Sequence, residues 1–347
     1  MVKERKRVNK KLAASLAAAL ILMLFGGMAV WHKDVVKRGV RHVLVRAGFK
    51  GLSDSGQSAK LPILRKPSAK PTPNAVYYRD GVIVLMYHEV KPVQSDAKTL
   101  LVSKFKEQLN LMKANGFHWI TMSQYTNFIL HHGKIPDNAV LLTFDDGYES
   151  FYQYAYPVLR QYHAPATNFL IVNTISNVKH IGIPKLTWGQ IRLMHRSGID
   201  FFNHTFDSHS YSYTDKAHRH LKPLLAGPIY SAKDARKETE PEYEDRIYND
   251  LSRAKEMLHR ELDNTYDVLA FPYGAFSEDT IKVCRELGIE VTFTVKRGMN
   301  HAGQLNGYRV NGGGGDNEPD VIVEYMKEGA PEKNLTLNKP YDLIEIK

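Results

Sequence analysis

The chain has 347 residues and a formal net charge of +10, from 47 Lys/Arg against 37 Asp/Glu. The excess is local: the first 50 residues hold twelve Lys/Arg and two acids, Glu4 and Asp34, and the remainder carries 35 of each. A neutral folded portion argues against a nucleic-acid groove and a basic membrane-surface adaptor, and the single Cys284 excludes an intrachain disulfide.

Leu12 to Trp31 is an uncharged run of twenty residues, long enough to cross a bilayer as a helix. Lys3, Arg5, Lys6, Arg7, Lys10 and Lys11 precede it. A cleaved signal peptide competes with an uncleaved anchor, but no clean A-x-A site follows. The expectation is therefore a cytoplasmic basic segment over 1–11, a signal anchor over 12–31 and an exported domain, by the positive-inside rule. Residues 32–78 read as a basic juxtamembrane stretch and a tether with Pro62, Pro67, Pro71 and Pro73. An exported chain without disulfides fits the outer face of a Gram-positive cell, as a single-pass protein of the cell membrane. Residues 79–330 are left for one catalytic-sized domain and 331–347 for a tail.

Within the domain, strands and helices alternate. Val82–Tyr87, Ala139–Phe144, Ala166–Val172, Ile199–Asn203, Val268–Phe271 and Val291–Val295 read as buried strands. Helices are expected around Phe105–Met112, closed by Gly116, and over Tyr148–Tyr162, Ile191–Met194, Asp245–Leu262 and Ser277–Leu287. Thr187-Trp-Gly-Gln190 has the capping-box pattern, and Cys284 falls in an amphipathic helix as a core residue. Ser210 to Glu244 resists assignment. Repeated β-α units imply parallel strands with helices outside, as a barrel or a doubly wound sheet. In a barrel, chemistry gathers at the C-terminal strand ends, where Asp145, Asp146, His204, Pro272 and His88 all fall.

Asp145 and Asp146 end a buried strand and Gly147 turns away from it. Two carboxylates there repel each other and lose hydration unless a cation or a shared proton compensates them. The bland alternative is that one Asp caps the next helix and the other is solvated. His204 and His209 follow a second strand, and Asp plus two His is a workable ligand set for a catalytic divalent metal. Their spacing of five aligns them on neither a helix nor a strand, so the chain must bend between them. His131, His132, His218 and His220 read as surface residues, and Gly312 to Gly315 as a flexible loop, not a phosphate cradle.

Thr143-Phe-Asp-Asp-Gly147, Asn203-His-Thr-Phe-Asp-Ser-His209 and Ala270-Phe-Pro-Tyr-Gly274 resemble three motifs of the polysaccharide deacetylase family, carbohydrate esterase family 4. The likeness covers about Gly81 to Val310. The five-residue histidine spacing and Val84-Leu-Met-Tyr-His88-Glu-Val90 resemble the branch that deacetylates biofilm poly-N-acetylglucosamine. The resemblance implies an α/β fold, a distorted (β/α) barrel preceded by the transmembrane helix. It implies that Asp146, His204 and His209 bind a divalent metal (Zn²⁺, with Co²⁺, Ni²⁺ or Mn²⁺ as alternatives) and that Asp145 is the general base. The Pro272-Tyr273 turn is the candidate oxyanion donor. The family's C-terminal Leu-x-His acid has no counterpart in Tyr308-Arg-Val-Asn311-Gly, so His88 stands as the substitute, against its alternative as a core histidine bonded to a carbonyl. Ala270 replaces an arginine that orients the base in many members, which leaves the partner of Asp145 open. Trp188, Tyr273 and Phe206 are candidate sugar-stacking residues, each also readable as core.

The implied partner is an N-acetylated extracellular polysaccharide, with no nucleic acid. Peptidoglycan N-deacetylation and O-deacetylation are alternatives within the enzyme class. A non-catalytic carbohydrate-binding protein on the same scaffold is the alternative of another class.

Overall fold

The computed structural model describes residues 71–314 and 317–331. The expected basic segment 1–11, the anchor 12–31, the tether up to residue 70, Gly315 and the tail from residue 332 lie outside the described residues. Among the described residues, no helix is long and apolar enough to cross a membrane.

The chain opens with β1 (Val82–Tyr87), β2 (Val90–Lys91) and β3 (Leu100–Leu101), then helix α1 (Val102–Ala114), β4 (His118–Trp119), α2 (Met122–His131) and β5 (Ala139–Asp145). A π-helical turn, Phe151–Ala155, leads into α3 (Tyr156–Tyr162), followed by β6 (Ala166–Leu170), α4 (Trp188–His195) and β7 (Ile199–Asn203). Two hairpins follow, β8 (Tyr211–Tyr213) with β9 (Leu221–Pro223) and β10 (Tyr230–Ser231) with β11 (Arg236–Lys237). The rest is α5 (Glu240–Leu262), β12 (Val268–Ala270), α6 (Glu278–Glu286), β13 (Val291–Phe293), β14 (Asn306–Gly307), β15 (Val310–Asn311) and α7 (Pro319–Lys327).

The main sheet runs β14-β13-β12-β7-β6-β5-β1-β15, with β4 added beside β5, and its ladders are parallel. Every residue of β1 and β5 is buried, as expected of parallel strands covered on both faces. β14 and β15 are the two ends of this order, yet only Tyr308 and Arg309 separate them in the chain. The sheet must therefore curl until its edges stand side by side. This is the barrel-type architecture, and Arg309 occupies its seam.

The inward-facing side chains share one core with α2: Val82, Val84, Leu141, Phe169, Phe202, Ala270 and Phe293 pack with Met122, Tyr125, Phe128 and Ile129. Outside, α1, α3, α4 and α7 cover β1, β5 and β6, while α5 and α6 cover β12. Cys284 is part of that second outer cluster, and burial pushes its thiol up to about 12.

Several expectations need correction. The helix foreseen over Tyr148–Tyr162 becomes regular only at Tyr156: Pro157 has no N–H to give, and the turn before it widens to π spacing. The helix foreseen from Asp245 starts at Glu240, where Thr239 and Glu242 form a capping box ahead of Pro241. Residues at the end of the expected tether belong to the domain, since Asn138 Oδ1 accepts from the Tyr77 and Tyr78 amides at 2.8 and 3.3 Å. The capping box at Thr187 and Gln190 forms as read.

Candidate active site

Parallel strands deliver their C-terminal ends to one rim. Asp145 is the last residue of β5, and His204 and His88 directly follow β7 and β1. Alternation along each strand turns Asp145 and His204 inward, above Leu141 and Phe202 of the inner core. The loops leaving this rim contain non-glycine residues in left-handed backbone: Asp146 (φ 75°), Thr205 (φ 74°) and Tyr273 (φ 59°). Each such conformation costs about 1–3 kcal/mol and persists only where its surroundings dictate it. Gly147 (φ 63°) completes the first turn, and a Cβ there would lie 2.9 Å from Leu170 Cδ2.

Asp146, His204 and His209 converge, with ligand atoms all within 4.8 Å of one another. His204 Nδ1 lies 2.7 Å from the Ala270 carbonyl. A carbonyl only accepts, so that nitrogen carries the proton and Nε2 presents a lone pair. Nε2 faces Asp146 Oδ1 at 3.5 Å, and His209 Nε2 faces the same oxygen at 3.1 Å. Burial lowers the His204 pKa to about 4, despite the pull of Asp145, so a neutral imidazole points its lone pair at a carboxylate. Asp146 Oδ1 is buried and has no hydrogen-bond partner. Two imidazole nitrogens and a carboxylate oxygen converging in a buried pocket fit a cation, and this is a possible metal site.

The loop joining the two histidines is tied down from both sides. Asn203 Oδ1 accepts from the Thr205 amide at 2.7 Å, and Thr205 Oγ1 from the Ser208 amide at 3.1 Å. From α5, the two oxygens of Asp250 accept from the Phe206 and Asp207 amides, each at 2.9 Å. This clamp is the bend that the five-residue spacing demanded. On the other side of the site, Lys185 Nζ donates to the Asp146 carbonyl at 2.8 Å and lies 3.9 Å over the Tyr148 ring.

Asp145 is held differently from its neighbour. Arg309, fully buried in the seam, donates from Nη1 to Asp145 Oδ1 at 2.7 Å and from Nε to the Thr294 carbonyl at 2.9 Å. Burial raises the Asp145 pKa, but Arg309, His204 and His88 outweigh it and leave it below the usual carboxylate value. Asp146 is opposed by burial in the same way, and the three histidines hold it well below that value. Half-buried His88 is lowered by burial, with Asp146 and Asp145 pulling it back up.

Pro272 is buried, and the Gly274 and Ala275 amides in its turn donate to Phe271 and Pro272 carbonyls. The Tyr273 hydroxyl lies 3.2 Å from His209 Nδ1. Phe206 corrects an expectation: it is 7% exposed, with the Arg253 guanidinium 3.8 Å over its ring, and has no face to offer a sugar. Trp188 begins α4, half-buried against the outer core. Arg309 and Asp250 were missed in the sequence. The sequence signal for Arg309 is a lone arginine in Tyr308-Arg-Val-Asn311, the segment that lacks the family's C-terminal histidine.

Residues 132–292 match the polysaccharide deacetylase family model, a span that holds both aspartates and both histidines but not His88 or Arg309. The chain is 30% identical over 243 residues to a poly-β-1,6-N-acetyl-D-glucosamine N-deacetylase of Escherichia coli K12, covering 65% of this chain but only 36% of that relative. It is 29% identical over 235 residues to the protein of the same name in Staphylococcus epidermidis, covering 63% and 74% of the two chains. Among solved structures, a de-N-acetylase from Aggregatibacter actinomycetemcomitans superposes with a TM-score of 0.61 at 26% identity, over 67% of this chain and 94% of that one. The paired aspartates, the bent histidine loop, the curled parallel sheet and these likenesses converge: residues 132–292 of this chain are a polysaccharide deacetylase domain.

Proposed function

We propose that this protein is a metal-dependent N-deacetylase, a hydrolase of carbon–nitrogen bonds that frees the amines of N-acetylglucosamine residues in an extracellular poly-N-acetylglucosamine-like polymer. The observation that carries this reading is the division of labour between two adjacent buried carboxylates: Asp146 faces two imidazole nitrogens, and Asp145 is clamped by Arg309. A pure binding module has no use for that arrangement.

In this reading Asp146, His204 and His209 hold a divalent cation, zinc by their chemistry. Such an ion supplies charge stabilisation for the acetamide oxygen and lowers the pKa of water. Asp145, oriented by Arg309, takes the proton of the attacking water. The Tyr273 amide donates to the developing oxyanion, and His88 gives a proton to the departing amine. The His204 tautomer is fixed by the Ala270 carbonyl, so its Nε2 stays a ligand and takes no part in proton transfer. At the scale of the cell, the catalytic domain, which takes in Tyr77 and Tyr78, is held at the outer face of a Gram-positive membrane by residues 12–31.

The test is release of free amine from β-1,6-linked N-acetylglucosamine oligomers and from purified peptidoglycan by the full chain. It is run with Zn²⁺, with chelator, and as Asp145→Asn. Release from the oligomers that chelator abolishes and Asp145→Asn reduces at least 100-fold is the expected result. Release that survives chelation overturns the metal assignment, and release from peptidoglycan alone moves the substrate to the cell wall. No release from either leaves a carbohydrate-binding protein.

A further inference from the structure

The hairpin of β8 and β9 carries exposed aromatic side chains. Its register pairs Tyr211 with Pro223 and Tyr213 with Leu221, and strand alternation puts Tyr211 and Tyr213 on one face. A lone two-stranded hairpin has no core of its own. Tyr211 is accordingly 40% exposed, Tyr213 36% and Leu221 54%.

These rings are not scattered. The Tyr211 ring lies 4.5 Å from that of Tyr273, which lies 4.7 Å from His209. A continuous line of rings therefore leads from the candidate metal site onto the hairpin. Farther out, Tyr213 stacks on His218 at 4.3 Å with planes 8° apart, and His218 meets Tyr230 edge-on at 6.5 Å. Each tyrosine is thus fixed on one side by another ring and open on the other.

We infer that this face of the hairpin is a glycan platform that binds sugar residues next to the one being deacetylated. The inference rests on the polymer N-deacetylase reading and extends it to how the polymer is held. A pyranose ring presents a face of C–H groups that packs on an aromatic ring, while its hydroxyls stay in water. Tyrosine suits this: its ring supplies apolar area at low entropic cost and its hydroxyl remains solvated. Tyr211 and Tyr213 sit two residues apart on a strand, about 7 Å by the rise of extended chain, which matches successive sugars better than two sides of one. Because the line of rings starts at His209, a chain threaded through the site runs onto the hairpin without a gap. The occupant is the substrate polymer itself.

The experiment compares wild type, Tyr213→Ala, Tyr211→Ala/Tyr213→Ala and Tyr213→Phe on a ladder of β-1,6-linked N-acetylglucosamine oligomers, dimer to hexamer, using the full metal-loaded chain. Wild-type KM is expected to fall with length. In the double alanine variant the loss grows with length, from small on the dimer to about tenfold in KM on the hexamer, with kcat little affected; Tyr213→Phe keeps the wild-type profile. An equal loss on dimer and hexamer, or an unaltered hexamer KM, overturns the platform. A second arm measures hexamer and polymer binding by calorimetry, with no turnover needed. If wild type deacetylates nothing, the enzymatic reading fails on its own. Binding lost in the double alanine variant then still supports the platform, and equal binding by both proteins, or by neither, overturns it.

Discussion

The Asp145–Arg309 pair shows how one buried contact divides two chemically identical side chains into different tasks. Both members are essentially inaccessible to solvent, and a buried charge that loses its partner typically costs 3–5 kcal/mol. Arg309→Met is therefore expected to lower unfolding stability by about 3–5 kcal/mol in urea titrations and to abolish activity. Adding Asp145→Asn should return most of the stability and none of the activity. A double variant no more stable than Arg309→Met would deny that the two charges compensate each other. His204 gives a second prediction at this scale. Its pKa is about 4 in the folded, metal-free protein, against about 6.5 in an unfolded chain. The unfolded state binds the extra proton, so the contribution of His204 to stability is complete above about pH 6.5 and is lost as pH falls toward 4. An NMR titration of the metal-free protein should give His204 a midpoint near 4, and a midpoint at or above 6 would contradict its burial as a neutral imidazole.

Among elements, α5 is the one whose role extends furthest beyond packing. Its buried stripe, including Ile247, Leu251 and Leu258, fixes it on the barrel and thereby fixes Asp250 beneath the His204–His209 loop. Asp250→Asn replaces one acceptor with a donor facing a backbone N–H, and the loop must reorganise. Loss of such supporting contacts typically costs 10–100-fold in metal affinity, and a drop of about that size in competition titrations, with far-UV dichroism retained, is the expected outcome. Unaltered affinity would mean that Asn203 and Thr205 hold the loop without help.

The element scale also shows what the sequence could reveal. Buried strands such as Val82–Tyr87 and Ala139–Asp145 were legible because both faces are covered, so apolar runs mark them directly. Helix α2 was not, because its polar Ser123 and Gln124, its His131 and the His132 that caps it obscure the stripe of Met122, Tyr125 and Ile129. The two-residue strands β14 and β15 leave no periodic trace at all. Arg309 was lost with them, since its importance comes from the curl of the whole sheet and not from its neighbours in sequence.

For the molecule as a whole, the proposed metal ligands tie together parts of the barrel that the backbone connects only loosely. Asp146 leaves β5, His204 and His209 leave β7, and β6 stands between those strands. Asp145, beside them, reaches through Arg309 to the seam where the sheet's edges meet. A cation bound by this triad would join turns that the fold holds in left-handed backbone at Asp146 and Thr205, and the unfolded chain has no equivalent cluster. Binding to the native state alone, at 100 times Kd, stabilises by about 2.7 kcal/mol. For a domain of this size, that corresponds to a rise of about 5–10 °C in Tm. Zn²⁺ added to the metal-free full chain should produce such a rise in differential scanning fluorimetry, and chelator should reverse it. Asp146→Asn should remove most of the shift while leaving the metal-free Tm close to wild type, because asparagine keeps the side chain's shape and tolerates the left-handed backbone at this position. A full shift in Asp146→Asn would place the ion elsewhere on the molecule, and a metal-free Tm far below wild type would mean that Asp146 supports the turn by itself.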